Sequence, residues 1–376
     1  MKKQWKLYIA IMVVVLIFNV VVWNSTAFCD WYIQYVMPVW INTYGRFMGL
    51  FSFSVGEILI IMGAAFLTFG ILLTLILTLR CIIQVTRKSN KSIKWVKCFY
   101  KFMAWVILWV MTIMSLNYSV LYHGSSFNEK YLGKPDKQYS LEELVIVRNY
   151  VVNKCNELSR EMQRDTEGDV ICKDDLENAA ISVMQDLGKS YYGLSGFYPR
   201  PKAMLLSDLM CQQYMQGYFF PFSMEANYND VMYIMNKPAA LCHELGHLKG
   251  FINEDEANFI AYLACISSSD LIFQYSGYLS VLYYLDNDFY DAIGNNRDTY
   301  KEQEHIRSQV IEDNVFVKEE EWKRINEKAL VDTEVVDTIS DQFTETYLRL
   351  NGVTDGMISY SRVVKLLLEY YEGRLF

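Results

Sequence analysis

Three long apolar runs dominate the hydrophobic pattern in the first third of the chain. Leu7–Trp23, Ile58–Leu79 and Met103–Leu121 contain no charged residue and are 17, 22 and 19 residues long. A transmembrane helix needs roughly 20 predominantly apolar residues, whereas a buried core helix is shorter and shows polar residues at helical spacing. We therefore predict three membrane-spanning helices at about 7–23, 58–79 and 103–121, in a membrane domain formed by residues 1–123. No small-residue cleavage site closely follows the first run, so we expect it to remain as a span.

Basic residues around these runs predict the orientation of the chain. Three lysines precede the first run, only Arg46 lies between the first two runs, and seven basic residues lie between the second and the third. Cytoplasmic loops of membrane proteins carry an excess of Lys and Arg. The pattern predicts a multi-pass plasma-membrane protein with a cytoplasmic N-terminus and with residues 24–57 and 124–376 on the extracytoplasmic side. The apolar stretch Trp31–Phe53 is expected to lie along the membrane surface.

Apolar positions recur with a helical period after residue 124. Leu141–Met162 and Leu176–Leu187 show this spacing, while Gln216–Ile234 combines aromatic and polar residues around an Asn-Asp turn, which indicates short strands or a hairpin. The sequence therefore predicts a mainly α fold. Three N-terminal transmembrane helices are followed by a mostly helical extracytoplasmic domain, residues 124–376, with a small β-sheet.

Two helices joined by a tight turn are predicted in the middle of this domain. The first begins near Pro238, which suits a first helical turn, and ends before Gly250, because glycine accepts a positive φ at little cost. Asn253 can cap the second helix, which is expected to run from Glu254 to Ser268.

The first of these helices carries the sequence His-Glu-Leu-Gly-His. His243 and His247 are one helical turn apart, so both imidazoles lie on one face and can bind one zinc ion. Glu244 then lies beside the remaining coordination position, where it can act as a general base. Because the chain has only four histidines, this pattern rarely arises by chance. A surface helix with two incidental histidines is the alternative interpretation.

A third metal ligand is expected at the start of the second helix. Glu254 can be aimed back at the histidines, and Asn258, one turn further on the same face, can hydrogen-bond a ligating histidine. Glu256 is the alternative ligand. An ordinary acidic residue in the first turn of a helix, where the helix dipole favours it, is the other interpretation of Glu254.

Four further residues are candidates for the site. Tyr275 follows the second helix, and a tyrosine hydroxyl near zinc can stabilise a tetrahedral oxyanion. Glu225 and Asn227 lie in the predicted hairpin, whose unpaired edge can hold an extended peptide by strand addition. Arg200, in a loop with two prolines, can contact a substrate carboxylate. A purely structural hairpin and a solvated loop are the alternatives.

Charge is distributed unevenly along the chain. Residues 1–125 carry a net charge of +9, and the remaining residues carry −17. A nucleic-acid-binding protein needs a basic face, so the acidic domain argues against nucleic acid as a partner. The expected partners are a lipid bilayer and a peptide or protein substrate, and the sequence does not indicate an oligomeric state. Among the eight cysteines, Cys242 and Cys265 are close to the predicted site, either as a disulfide or as two small buried side chains.

Several segments outside the zinc motif complete a recognisable combination. They are Phe53–Glu57, Tyr198–Lys202, Gly217–Pro221, Glu225–Asn227, Glu254–Asn258 and Tyr275–Tyr278. Together with His-Glu-x-x-His they resemble a bacterial membrane family, domain-of-unknown-function family 3810. The resemblance covers nearly the whole chain and implies a family without a settled activity.

The zinc segment alone resembles that of gluzincin-type peptidases, in which two histidines are followed by a later glutamate. This resemblance implies a gluzincin-like α+β domain, a zinc cofactor and hydrolysis of peptide bonds. The sequence departs from those peptidases at two points. Asn258 stands where an aspartate is common, and the gap between His247 and Glu254 is short.

The combined hypothesis is a membrane-anchored zinc metallopeptidase. His243, His247 and Glu254 bind Zn²⁺, and Glu244 transfers protons as the general base. One alternative is a non-catalytic membrane protein with structural or sensory zinc, although a structural site usually closes with four protein ligands. Another alternative is a zinc amide hydrolase that acts on cell-wall material.

Overall fold

Helices form most of the structure, as the hydrophobic pattern predicts. The computed structural model of the protein describes residues 3–84, 94–133, 137–172, 175–351 and 362–376. Within these residues a mostly helical fold carries a three-stranded sheet, so the predicted mainly α fold with a small sheet is confirmed. The middle of the predicted cytoplasmic loop, residues 85–93, lies outside the described residues.

The elements are named here in chain order. The helices are α1 Lys3–Asn24, α2 Thr26–Tyr35, α3 Met37–Trp40, α4 Arg46–Met48, α5 Val55–Gln84, α6 Lys94–Asn117, α7 Leu141–Glu161, α8 Leu176–Leu187, α9 Ser207–Gln212, α10 Lys237–Leu248, α11 Glu254–Ile266, α12 Leu271–Ala292, α13 Arg297–Lys301, α14 Ser308–Asp313, α15 Glu319–Lys328, α16 Thr333–Leu350 and α17 Arg362–Tyr371. The strands are β1 Lys202–Ala203, β2 Gly217–Phe220 and β3 Glu225–Tyr228. Short 3₁₀ or π-helical segments are Ile41–Gly45, Ser119–His123, Asn128–Leu132, Tyr192–Leu194 and Ile234–Asn236.

Three helices are long and apolar enough to cross a membrane. The candidate spans are Lys3–Asn24, Val55–Leu79 and Trp95–His123, and each contains one of the three predicted apolar runs. Only 11%, 11% and 28% of their most apolar windows are buried inside the protein. Most of their apolar side chains therefore face outward, where hydrocarbon is the environment that suits them.

The chain between the first two candidate spans packs into the rest of the protein. Tyr32, Met37 and Ile41 are buried in the same apolar core as residues of the C-terminal part. The Asp30 carboxylate accepts hydrogen bonds from the Ser125 backbone N–H at 2.9 Å and from its hydroxyl at 2.6 Å. One face of this stretch packs on the protein, and the predicted position along a membrane surface stays a prediction for the exposed apolar face, which includes Trp31, Val39 and Phe47. The core draws residues from both sides of the predicted boundary at residue 123.

The sheet consists of a hairpin and one added strand. Its order is β1-β3-β2, with β2 antiparallel and β1 parallel to β3, so β2 is an edge strand. In the hairpin Tyr218 is opposite Asn227, and Phe220 is opposite Glu225. A hairpin is present within residues 216–234, and its strands lie against α10. Its turn is formed by residues 221–224, so the predicted Asn-Asp turn is wrong, because Asn229 and Asp230 follow β3.

The helices α10 and α11 form the predicted pair joined by a tight turn. Gly250 in this turn has φ +96°, a backbone conformation that residues other than glycine rarely adopt. Small residues let the helices approach closely. A Cβ at Gly246 would lie 3.6 Å from Ile260 on α11, and a Cβ at Gly277 on α12 would lie 2.6 Å from the Cβ of Cys265. Because α11 is buried among α8, α10, α12 and α17, the turn that carries Glu254 has a fixed position.

Candidate metal centre

The two histidines of α10 lie side by side, as their spacing requires. The ring centroids of His243 and His247 are 4.4 Å apart, and the ring planes are nearly perpendicular. Glu254, the first residue of α11, faces both rings. Its Oε2 is 3.0 Å from Nε2 of His243, and its Oε1 is 3.6 Å from Nε2 of His247. The short turn between the helices therefore brings two imidazoles and one carboxylate to the same point.

These separations match the chemistry of a small divalent cation. The three candidate ligand atoms lie within 4.8 Å of one another. Tetrahedral zinc holds nitrogen and oxygen ligands at about 2.0–2.2 Å, so neighbouring ligand atoms around one ion lie roughly 3.3 Å apart. Two imidazole nitrogens and a carboxylate oxygen are also the donor set of many catalytic zinc sites. The residues present therefore fit zinc.

The remaining ring nitrogens have hydrogen-bond partners that set the tautomers. Nδ1 of His247 donates to the carbonyl oxygen of Phe251 at 2.8 Å. Nδ1 of His243 is 2.8 Å from the side-chain oxygen of Asn258. Because both partners offer an oxygen acceptor, both Nδ1 atoms carry hydrogen, and both Nε2 atoms, which are the positions available to a metal, face Glu254. Asn258 occupies the orienting position that the sequence analysis assigned to it.

The charges of His243, His247 and Glu254 shift one another's pKa values. Burial opposes a charge on His243, but the hydrogen bond and charge of Glu254 outweigh it and raise its pKa. Burial and the charge on His243 lower the pKa of His247. Burial favours neutral Glu254, yet the two histidines hold its pKa low. A metal ion binding here therefore displaces a proton from His243 and keeps Glu254 as its anionic ligand.

Glu244 lies in a slot between α10 and the edge strand β2. Its side chain is buried, and its Oε2 has no hydrogen-bond partner within the described part of the chain. Burial raises its pKa to about 8, with His243 lowering it and Glu254 raising it further. The slot exists because Gly217 has no side chain, since a Cβ there would lie 2.6 Å from Cγ of Glu244. A buried carboxyl oxygen without a partner beside a metal-ligand set is suited to proton transfer.

Two tyrosines outside the predicted set feel the charges of the acids at this centre. Burial and the charge of Glu244 raise the pKa of Tyr218 on β2 to about 12. Burial and the charge of Glu254 raise the pKa of Tyr284 on α12 to about 12. Both phenols are therefore neutral donors at ordinary pH. No feature of the local sequence distinguishes these two among the 28 tyrosines.

Tyr275 occupies a different place in the molecule, so its assignment to the site is corrected. Its ring is buried within α12, and its hydroxyl donates to Asp313 at 2.7 Å. The same carboxylate pairs with Arg164 at 2.7 Å. The hydroxyl is therefore part of a buried ion-pair cluster that joins α12 to α14.

Glu256 is not placed to bind the metal. It is buried, and its Oε1 accepts a hydrogen bond of 2.7 Å from the backbone N–H of Phe127. Two residues along a helix correspond to a rotation of roughly 200°, so Glu254 and Glu256 point to different sides of α11. Only Glu254 of the two alternatives faces the histidines.

The three residues assigned to a substrate cleft have other partners. Glu225 is buried and accepts hydrogen bonds from Gly56 N–H at 2.7 Å and from the Ser223 hydroxyl at 2.6 Å, and it pairs with Lys202. Arg200 is exposed and pairs with acidic side chains of the α8 region, Asp175 at 3.1 Å and Glu177 at 3.5 Å. Both placements in the cleft are corrected.

Asn227 lies inside the hairpin rather than in an open cleft. Its side-chain nitrogen donates to the carbonyl oxygen of Tyr218 at 3.2 Å, which braces β2 next to Glu244. It is buried, and its side-chain oxygen has no partner within the described residues. Asn227 therefore supports the strand that borders the candidate site.

No disulfide joins the two described cysteines near the site. The Sγ atoms of Cys242 and Cys265 are 3.9 Å apart and lie in the buried contact between α10 and α11. All seven cysteines whose side chains are described are free thiols. Of the two interpretations of this pair, the structure shows two small buried side chains.

Comparison with known proteins places this arrangement in a family. The family model described as "Protein of unknown function (DUF3810)" matches residues 32–368. The chain belongs to this family. The match includes α10 and α11 with the complete ligand set, together with β1, β2 and β3. Neither the curated proteins nor the solved structures contain a match to the chain.

Proposed function

We propose that the protein is a membrane-anchored zinc metallopeptidase. The observation that carries the proposal is the convergence of His243, His247 and Glu254 next to the unpartnered buried oxygen of Glu244. In this proposal the first three residues hold Zn²⁺. The bound ion would act as a Lewis acid and lower the pKa of water toward neutrality.

The chain's own groups then carry out the proton transfers. Glu244 accepts a proton from the attacking water and returns it to the leaving amine when the C–N bond breaks. Its buried Oε2, which has no hydrogen-bond partner within the described residues, is available to take up that proton.

Location follows from the three candidate spans and from the distribution of basic residues. We propose that α1, α5 and α6 cross the plasma membrane, with the N-terminus in the cytoplasm and the metal centre outside. Peptide or protein is the proposed substrate. The acidic domain, with a net charge of −17 after residue 125, makes nucleic acid an unsuitable partner.

The first test combines metal analysis with one substitution. Full-length protein in detergent micelles or nanodiscs should contain one zinc per chain and cleave members of a mixed peptide library. Glu244→Gln should keep the zinc and lower the cleavage rate by about 10²–10⁴, the usual contribution of general acid–base catalysis. Glu302→Gln, an exposed change of the same kind, should retain the wild-type rate.

Other results would favour the alternatives. Zinc bound by wild-type protein without hydrolysis of any peptide would favour a structural or sensory site. Release of products from cell-wall amides but not from peptides would favour an amide hydrolase. Absence of stoichiometric zinc from protein purified without chelators would overturn the metal proposal itself.

A further inference from the structure

The strand beside Glu244 leads directly to a membrane-spanning candidate. At one end of β2, Gly217 touches Glu244. At the other end, Phe220 packs on Gly56, because a Cβ at Gly56 would lie 2.6 Å from the Phe220 ring. Three residue steps in a strand correspond to about 10 Å. The contact of β2 with the proposed general base is therefore only about 10 Å along the strand from its contact with the first turn of α5.

The turn after β2 continues down the third candidate span. The side-chain amide of Asn117 donates to the carbonyl of Pro221 at 3.0 Å, and the ring of Phe222 is 5.2 Å from that of Trp109. Trp109 precedes Asn117 by eight residues, about 12 Å along a helix. Both residues belong to the apolar segment Trp95–His123. The hairpin thus contacts two candidate spans at once.

Buried carboxylates make this junction rigid. Glu225 of β3 accepts hydrogen bonds from the backbone N–H groups of Val55 at 3.2 Å and of Gly56 at 2.7 Å, at the start of α5. Glu57 in the same turn accepts from the N–H groups of Leu205 at 3.0 Å and of Leu206 at 2.6 Å. A buried carboxylate is costly unless its oxygens are hydrogen-bonded, and these bonds form only in this arrangement. The hairpin is therefore held at a set height above α5.

Apolar side chains surround this junction and are exposed. Leu205, whose backbone is bound by Glu57, has 84% of its surface exposed, and Leu50, just before α5, has 79% exposed. Leu206, Phe51 and Phe53 are exposed as well. Exposed apolar residues at the level where a span begins suit the boundary between lipid headgroups and acyl chains. The bilayer surface would then lie at the α5 end of β2, about three residues along the strand from Glu244.

We propose that the substrates are polypeptide segments held at the bilayer surface, immediately outside a membrane anchor, rather than freely diffusing peptides. This inference rests on the proposed function. A substrate anchored in the same bilayer reaches the site at a high effective concentration. Because the site has a fixed height, the preferred scissile bond should lie about three extended residues from the anchor.

The test uses one scissile sequence in anchored and free forms. The scissile sequence is taken from the peptide library that defines activity in detergent. It is attached to a transmembrane helix through polyproline spacers, which extend about 3.1 Å per residue, and is also supplied without an anchor. Full-length protein is reconstituted into liposomes with each substrate. Cleavage should be greatest with about three spacer residues, at least about 10-fold faster than for the free peptide, and should fall strongly with about eight.

A substitution at the apolar rim provides a second readout. Leu205→Asp should lower cleavage of the anchored substrate several-fold and leave cleavage of the free peptide unchanged, because it weakens only the contact with lipid. Ile311→Asp, an exposed apolar position on α14, is the matched control and should change neither rate.

The outcomes separate the two proposals. If the free peptide is cleaved as fast as the best anchored one, or if spacer length has no effect, the surface-substrate proposal is overturned while the peptidase stands. If zinc-loaded wild-type protein cleaves neither form and no other peptide, the peptidase proposal fails and this inference fails with it.

Discussion

At the scale of single residues, the hydrogen bonds of the histidines decide which ring nitrogen faces the site. Asn258 and the carbonyl of Phe251 engage Nδ1 of His243 and His247, so both Nε2 atoms are directed to Glu254. The neutral amide of Asn258 orients its histidine without adding a charge to the centre. This arrangement leaves Glu254 as the anionic partner of the two rings.

Removal of the Asn258 amide should weaken metal binding. Asn258→Ala leaves Nδ1 of His243 without an oriented acceptor, and loss of such a partner typically costs 10–100-fold in metal affinity. Competition with a zinc chelator measures the effect in full-length protein. Asn326→Ala, at an exposed position on α15, serves as the control. Equal zinc affinity of Asn258→Ala and wild type would show that the contact does not orient the ring.

Gly217 should be needed for activity although it has no functional group. Gly217→Ala places a Cβ against Glu244 and must displace that carboxylate or the strand. We expect peptide cleavage to fall at least about 10-fold, since a misplacement of 1 Å can cost 100-fold, while zinc content is unchanged. Gly63→Ala, where a Cβ would meet nothing within 4 Å, is the matched control. A fully active Gly217→Ala variant would argue against the position of Glu244 described above.

At the scale of elements, close helix contacts and helix ends determine how the site is supported. The helix α12 packs on α11 through Gly277, where the helices leave no space for a Cβ next to Cys265. Near the C-terminus of α12, Asp288 and Asp291 lie where the helix dipole disfavours negative charge, so their ionised forms destabilise this end of the helix. Burial and then the charge of Asp291 raise the pKa of Asp288 to about 6.

The raised pKa of Asp288 predicts how stability depends on pH. The folded protein holds the proton of this carboxyl more tightly than the unfolded chain, so the free energy of unfolding decreases as pH rises from about 4 to about 6. Asp288→Asn removes the ionisable group and therefore this decrease in the free energy of unfolding. At pH 7 it should stabilise the protein by roughly 1 kcal/mol, allowing for solvent screening of a half-buried group, with no gain at pH 4.

Thermal unfolding in detergent at the two pH values measures this difference. Asp298→Asn, whose side chain is 95% exposed, is the control and should show no pH-dependent gain. A gain for Asp288→Asn that is the same at pH 4 and pH 7 would contradict the electrostatic explanation.

At the scale of the whole molecule, the segment between the first two candidate spans and the C-terminal part form one body. Lys202 on β1 donates to the carbonyl of Met48 at 2.8 Å, and Arg46 lies over the ring of Phe197 at 3.7 Å from its centroid. These segments must therefore be on the same side of a membrane. The proposed three crossings satisfy this requirement, because they would place residues 24–57 and residues 124–376 on one side.

The proposed orientation predicts the accessibility of the two termini. In intact cells, or in spheroplasts if an outer barrier is present, an added protease should remove an epitope tag after Phe376. A tag before Met1 should be removed only after the membrane is permeabilised, because the basic N-terminus is retained in the cytoplasm. Western blots with antibodies to each tag measure the result. Protection of the C-terminal tag together with loss of the N-terminal tag would reverse the orientation.

The sequence by itself determined the features that depend on short-range spacing. The three apolar runs are local, and their helices contain them. The facing of His243 and His247 follows from a helical pitch of 3.6 residues, and the approach of Glu254 follows from a short turn that Gly250 permits. The contacts among His243, His247 and Glu254 lie within a dozen residues of one another. Local helix and turn geometry alone therefore fixes them.

Only the tertiary structure decided which distant residues surround this motif. The predicted hairpin assigns Glu225 to a substrate cleft, yet its partner Gly56 lies 169 residues away. Tyr275 was selected for its position after the second helix, but Asp313 takes its hydroxyl, while Tyr218 and Tyr284 lie near the acids. Such pairings depend on how separate elements pack, and the same residue types occur at many positions of the chain. Residue pattern and local spacing therefore predict the metal ligands, whereas the packing of distant elements determines which other side chains surround them.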